Sequence, residues 1–179
     1  MKILKYLLLL IVGVIILLLL TGLFTKKEFA VVREVTIAKP NQEVFDYIKY
    51  LKNQDNFSTW TQMDPNMEKT FTGEDGTVGF MSHWNSEVEN VGEGEQEIMK
   101  IEDGKRIEFQ LRFKKPFEAT DMAYMTTEDV SGQTKVVWGF EGNMPYPSNL
   151  MLLFMDFDDM LGPELQTGLN NLKSLMENQ

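Results

Sequence analysis

Three hydrophobic patterns follow one another along the chain, and each predicts a different element. From Tyr6 to Phe24, nineteen consecutive residues carry no charge and most are Leu, Ile or Val. At the rise of an α-helix that run spans roughly 28 Å, close to the hydrocarbon thickness of a bilayer. Between about Val31 and Gly142 the apolar residues fall instead at every second position, the period of short strands. The clearest run is Arg106 to Phe113. Ile107, Phe109, Leu111 and Phe113 share one face and Arg106, Glu108, Gln110 and Arg112 the other, as in an antiparallel sheet wet on one side. From Pro147 to Met176 the spacing becomes three and four. Leu150, Phe154, Phe157, Leu161, Leu165, Leu169, Leu172 and Met176 then lie along one side of a helix. A sheet that curls around this helix and covers its apolar side is the economical arrangement.

The remaining elements follow from local signals. Val31 to Ile37 reads as the first strand, and Pro40 opens a helix whose apolar face is Val44, Phe45, Ile48 and Leu51. A second, shorter helical or turn segment carries Phe57 and Trp60 and ends at Asp64-Pro65. Further strands are expected over 67–71, 78–84, 95–101, 106–113, 120–128 and 134–140. Hairpin punctuation falls at Glu74-Asp75-Gly76, Asp103-Gly104 and Ser131-Gly132. Gly162-Pro163 predicts a kink, or two nearly coaxial pieces, because the stripe keeps its phase across it.

These patterns divide the chain into a membrane anchor over 1–25, a linker over 26–30 and one domain over 31–179. A retained, single-pass anchor is favoured over a cleaved signal peptide. The apolar run is longer than a usual signal core, and Thr21 to Phe24 offer no small-x-small cleavage pattern. Lys2 and Lys5 nearly balance Lys26, Lys27 and Arg33, so the very short tail decides the expected topology: tail in the cytosol, domain outside. The 17 basic and 27 acidic residues leave no basic face for nucleic acid, and a nucleic-acid partner is not expected. With no cysteine, thiolate nucleophiles and cysteine-zinc sites are excluded. No phosphate, nucleotide, haem or metal signature is visible, so neither cofactor nor metal is expected. Nothing in the sequence sets the oligomeric state.

Several stretches carry a resemblance. Ile37-x-Lys39-Pro40 leads to Val44-Phe45, and Trp84-Asn85 is followed by Val91-Gly92-Glu93-Gly94-Glu95. Later come Lys115-Pro116-Phe117, Thr134 to Trp138, and Gly168-Leu169-x-x-Leu172-Lys173. Over most of 31–177 the chain resembles the SRPBCC (START-like, helix-grip) superfamily, in its polyketide cyclase/dehydrase-like branch. The resemblance implies an α+β fold, a curved antiparallel sheet wrapped around a long C-terminal helix, with a deep apolar cavity between them. The transmembrane helix is an addition to it. A small hydrophobic ligand, lipid-like or polyketide-like, is the implied partner. The alternatives are a cyclase, dehydratase or hydrolase acting on such a ligand, and a non-catalytic protein-interaction module.

The candidate residues are weighed on the same footing. Trp60, Phe80, Trp84, Phe109, Leu111, Tyr124, Trp138, Phe140, Phe154, Leu161 and Leu165 are expected to line the cavity, although for any one of them core packing is the simpler reading. Catalytic candidates are few. His83 is the single histidine, but a regular strand that turns Trp84 inward turns His83 outward. Tyr124 shares a face with Met122 and Thr126, so its hydroxyl could reach the cavity, although a core side chain with a hydrogen-bonded tip is the simpler reading. Arg112 is expected to face water. Asp156, Asp158, Asp159 and Glu164 read as a solvated face rather than a metal site, and the twelve methionines as adaptable apolar filler.

Overall fold

The computed structural model describes residues 2–178; Met1 and Gln179, which close the anchor and the domain as drawn from the sequence, lie outside the described residues. Helix α1 runs over Lys2–Phe24, is long and apolar enough to cross a bilayer, and buries only Gly22 against the rest of the chain. After three intervening residues β1 (Glu28–Ile37) begins. Helix α2 (Asn41–Ile48) buries Val44, Phe45 and Ile48, and Pro40 stands just before it in an extended conformation. A 3₁₀ turn over Leu51–Asn56 and the short α3 (Thr59–Met63) follow.

The strands β2 (Glu68–Thr72), β3 (Met81–Asn85), β4 (Glu93–Glu102), β5 (Arg106–Lys115), β6 (Ala119–Val130) and β7 (Gln133–Asn143) complete one antiparallel sheet. Its order is β1-β7-β6-β5-β4-β3-β2, so β1 closes the sheet beside the last strand and β2 is the other edge. The expected turns hold the hairpins. At Ser131-Gly132 both residues have positive φ, 57° and 82°, the geometry whose twist matches a two-residue hairpin. The expected strand over 78–84 is shorter than its alternation suggests. Gly79 has φ 88°, Val78 is exposed, and pairing with β4 is regular only from Met81.

The C-terminal helix departs from expectation in where it starts. Helix α4 covers Phe157–Glu177 and runs through Pro163 without stopping. Pro163 lies in its second turn, and the carbonyl that loses a donor there belongs to Asp159, an exposed residue water can reach. The break lies earlier, at Asp156. Its backbone is extended and its Oδ1 accepts from the N–H groups of Asp158 (2.9 Å) and Asp159 (3.4 Å), an N-cap. Residues Ser148–Leu153 form a separate 3₁₀ segment. Leu150 and Phe154 therefore do not belong to the helical stripe: Leu150 closes over Gly22 and Phe154 is 77% exposed.

From Leu165 onward the stripe behaves as its spacing requires. Leu165, Leu169, Leu172 and Met176 are buried against the inner face of the sheet with Val31, Ile37, Ile107, Phe109, Met125, Val136 and Trp138. Arg33 clamps the start of α4 to β1, donating to both carboxylate oxygens of Asp158 at 2.8 Å. That pairing holds the Asp158 carboxyl below its ordinary range.

Candidate functional site: a chamber between sheet and helix

Packing is dense toward the Ile37 and Met176 end of α4 and loosens toward the helix start. There a chamber of about 270 Å³ opens between the sheet, α3 and α4. Its apolar wall comes from Trp60, Trp84, Leu111, Phe113, Ala123, Trp138, Phe140, Leu161 and Leu165. The aromatic rings brace one another. Trp60 meets Trp138 edge-on at 6.2 Å, Trp84 meets Phe113 edge-on at 5.9 Å, and Phe113 lies 6.5 Å from Phe140.

Two glycines shape this wall. A Cβ at Gly94 would stand 2.6 Å from the Trp84 ring and 2.7 Å from the Arg112 carbonyl oxygen, so the bare backbone of β4 is what lets Trp84 lie across it. The indole N–H of Trp84 then donates to the Val91 carbonyl at 3.1 Å. At Gly168 a Cβ would approach Trp138 to 2.8 Å, so the missing side chain lets α4 press against that ring.

Polar groups interrupt the wall at a few points. Gln54, Ser58, Thr61, Ser82 and Gln96 reach it, and Lys69 donates to Asp55 and, at 3.2 Å, to the hydroxyl of Thr61. Gln54 is buried, and its amide nitrogen has no hydrogen-bond partner among the described residues. Such a donor is costly to leave unsatisfied. Glu89, Asn90, Lys115 and Pro116 line the chamber and are also exposed, which marks them as its mouth.

Of the residues expected to line the cavity, Trp60, Trp84, Leu111, Trp138, Phe140, Leu161 and Leu165 stand around the chamber. Phe80 and Phe109 do not; both are fully buried in the core, and Phe80 stacks on Phe71. Phe154 lies outside the chamber because its segment is not part of α4. Tyr124 is placed on the opposite side of the sheet. Ala123, Met125 and Thr127 are the buried positions of β6, so Tyr124 projects from the outer face, over Gly139 and beneath Arg106, whose guanidinium carbon sits 4.0 Å from the ring centroid.

His83 also lies on the outer face, with Nδ1 3.1 Å from Glu95. Arg112 completes a charged cluster there, donating to Glu95, to Glu97 at 2.8 Å and to Gln110 at 2.5 Å. Its hydrogen bond holds the Glu95 carboxyl below the usual glutamate range. Neither His83 nor Tyr124 can touch a molecule inside the chamber. Of the methionines read as apolar filler, Met67 lines it, whereas Met122, Met125, Met144, Met151, Met155 and Met160 do not.

Phe113 and Ser82 were legible, sharing strand parity with Leu111 and Trp84. Gln54, Lys69 and the mouth residues come from turns and an edge strand, where no period marks a face. Asp121 is a further inward group without a sequence signal. It shares the Ala123 face of β6, accepts from the Asn143 N–H at 3.3 Å, and burial pushes its carboxyl above the ordinary range.

An antiparallel sheet gripping a C-terminal helix over a hollow, aromatic-walled interior defines the class of helix-grip domains. The sequence profile of the family described as polyketide cyclase / dehydrase and lipid transport matches residues 28–177, and the chain belongs to that family. Solved structures share the fold at low identity. The Mll3558 protein from Rhizobium loti is 14% identical with a TM-score of 0.60, covering 82% of this chain and 96% of its own. Ara h 8.0201 is 10% identical with a TM-score of 0.56, covering 85% and 99%. The Aha1 dimer from Colwellia psychrerythraea is 14% identical with a TM-score of 0.52, covering 83% and 96%. No curated protein matches the chain in sequence.

Proposed function

We propose that this protein is a membrane-anchored binding domain for one small hydrophobic molecule carrying a single oxygen acceptor, held in the chamber between sheet and α4. The apolar, aromatic-walled chamber of about 270 Å³ carries this reading. That volume lies near the lower end for ligand pockets, which favours one ring system or short acyl chain over a two-chain lipid. The unpartnered amide nitrogen of Gln54 supports the oxygen acceptor, since a carbonyl, carboxylate or hydroxyl there would complete its hydrogen bonding. Helix α1 would hold the domain in the membrane, with its short tail in the cytosol and the domain on the far side.

All three tryptophans, Trp60, Trp84 and Trp138, stand around the chamber, so occupancy can be read from their fluorescence. The full chain in detergent micelles would be titrated with a brominated fatty acid, and organic extracts of the purified protein analysed by mass spectrometry. Saturable one-to-one quenching, abolished in Ala123→Phe, is the expected result. Quenching that survives in Ala123→Phe, or fails to saturate, would rule the chamber out as the binding site.

A further inference from the structure

We propose that the rim formed by Phe117 and by Leu153-Phe154 seats in the interface of the bilayer that holds α1, so that the chamber mouth faces lipid rather than water. This rests on the reading of α1 as a membrane anchor.

Strand register fixes which end of the sheet is which. Glu28 pairs with Asn143, Met122 with Glu141, Phe113 with Ala119, Glu93 with Lys115, and Asn85 with Glu68. These pairs all lie at one end of the sheet, the end at which α1 joins β1. The mouth is at that end too, because Glu89-Asn90 lies in the β3–β4 connection and Lys115-Pro116 at the β5–β6 turn. The opposite end carries the Asp103-Gly104 and Ser131-Gly132 turns.

Large apolar side chains are exposed at this same end of the sheet. Phe117, next to Pro116, is 78% exposed, Phe154 is 77% exposed, and Leu153 is exposed beside it. Exposed aromatic and aliphatic groups gathered at one end of a domain mark a surface that meets another apolar phase.

The second of these groups is held against the anchor itself. The side-chain nitrogen of Asn149, a fully buried residue, donates to the carbonyl oxygens of Gly22 (2.8 Å) and Thr25 (3.1 Å), two acceptors that the end of α1 leaves free. Leu150 and Tyr146 close over Gly22. Gly22 lies in the last turn of the apolar run, so the segment docked on it is set at the boundary between acyl chains and headgroups. Leu153 and Phe154 follow directly. They share a surface hollow with Lys26, whose long side chain can keep its ammonium among the phosphates while its stem lies along apolar surface. The domain is acidic overall, so burial of these apolar groups, rather than attraction to anionic lipid, would hold the rim in place.

The absence of cysteine makes the test direct. Nitroxide labels would be attached to the full chain at Phe117→Cys, Phe154→Cys and, at the far end, Asp103→Cys, with the protein reconstituted in phosphatidylcholine vesicles. Accessibility to oxygen relative to a water-soluble nickel chelate should be on the order of tenfold higher at 117 and 154 than at 103. All three positions are exposed, so the labels should not disturb folding. Water-like accessibility at 117 and 154, in protein that resists alkaline carbonate extraction, would overturn the seated rim while leaving the anchor intact. Release of the chain by carbonate would overturn the anchor, and the seated rim with it.

Discussion

Leu165→Ala and Leu169→Ala make the same chemical change on the same face of α4, one helical turn apart. Both side chains are essentially inaccessible, at 1% and 0% exposure, but Leu165 borders the chamber and Leu169 does not. Buried Leu→Ala changes cost about 2.7–5.0 kcal/mol, rising by about 24 cal/mol for each Å³ of void left behind. At position 169 the neighbours are close-packed and a new void must form, which places the loss at about 5 kcal/mol. At position 165 the vacated space joins a chamber already open at its mouth, so the loss falls near the transfer cost alone, about 2–3 kcal/mol. The expected difference of about 2 kcal/mol corresponds to roughly 4–8 °C in melting temperature for a chain of this size. Thermal unfolding of the full chain in detergent micelles, followed by tryptophan fluorescence, measures it. Equal losses at the two positions would refute the claim that the interior beside Leu165 is hollow.

Three further outcomes follow from the same geometry. Gly94→Ala drives a methyl group into the Trp84 ring and the Arg112 carbonyl, and should cost about 1–3 kcal/mol with a shift in tryptophan emission. Glu95→Gln breaks the charge-assisted bond from Arg112 and should cost about 1.5–3 kcal/mol at pH 7. Because Arg112 holds the folded Glu95 carboxyl below its ordinary 4.5, that stabilisation is complete above 4.5 and is lost as pH falls through the folded value. Urea midpoints of the two proteins should therefore converge in acid. Asp121 is the opposite case: burial raises its carboxyl above 3.8, so keeping it ionised costs stability as pH rises through and beyond that value. Asp121→Asn, which can still accept from Asn143, should be more stable than the wild type at pH 7, with the gain shrinking toward pH 4 in the same assay.

The strands were legible where one face is buried and the other wet, as in β5 and β7, because a period of two survives only when the environment alternates. The helix-grip arrangement followed from joining those strands to the stripe in α4. Three features were not legible. The helix start was misplaced because Leu150 and Phe154 happen to fall in phase with a helix that Asp156 caps only afterwards; apolar spacing cannot tell a residue that faces the core from one that faces another apolar surface. Tyr124 was misjudged because β6 has apolar residues on both faces, Met122 and Tyr124 against Ala123 and Met125, and the side the ring occupies shows only in the burial along β6 and in its contacts with Gly139 and Arg106. The boundary between chamber and core, which separates Leu111 from Phe109, depends on how closely sheet and helix approach and leaves no periodic trace.

Only Thr25, Lys26 and Lys27 stand between the end of α1 and the first strand. Even fully extended, three residues reach about 10 Å. With α1 as the membrane anchor proposed above, a domain on so short a stalk could not carry a ligand across an aqueous gap to a second membrane. On that proposal, any ligand would be received and surrendered where the domain stands, to the surrounding leaflet or to a recipient that comes to it.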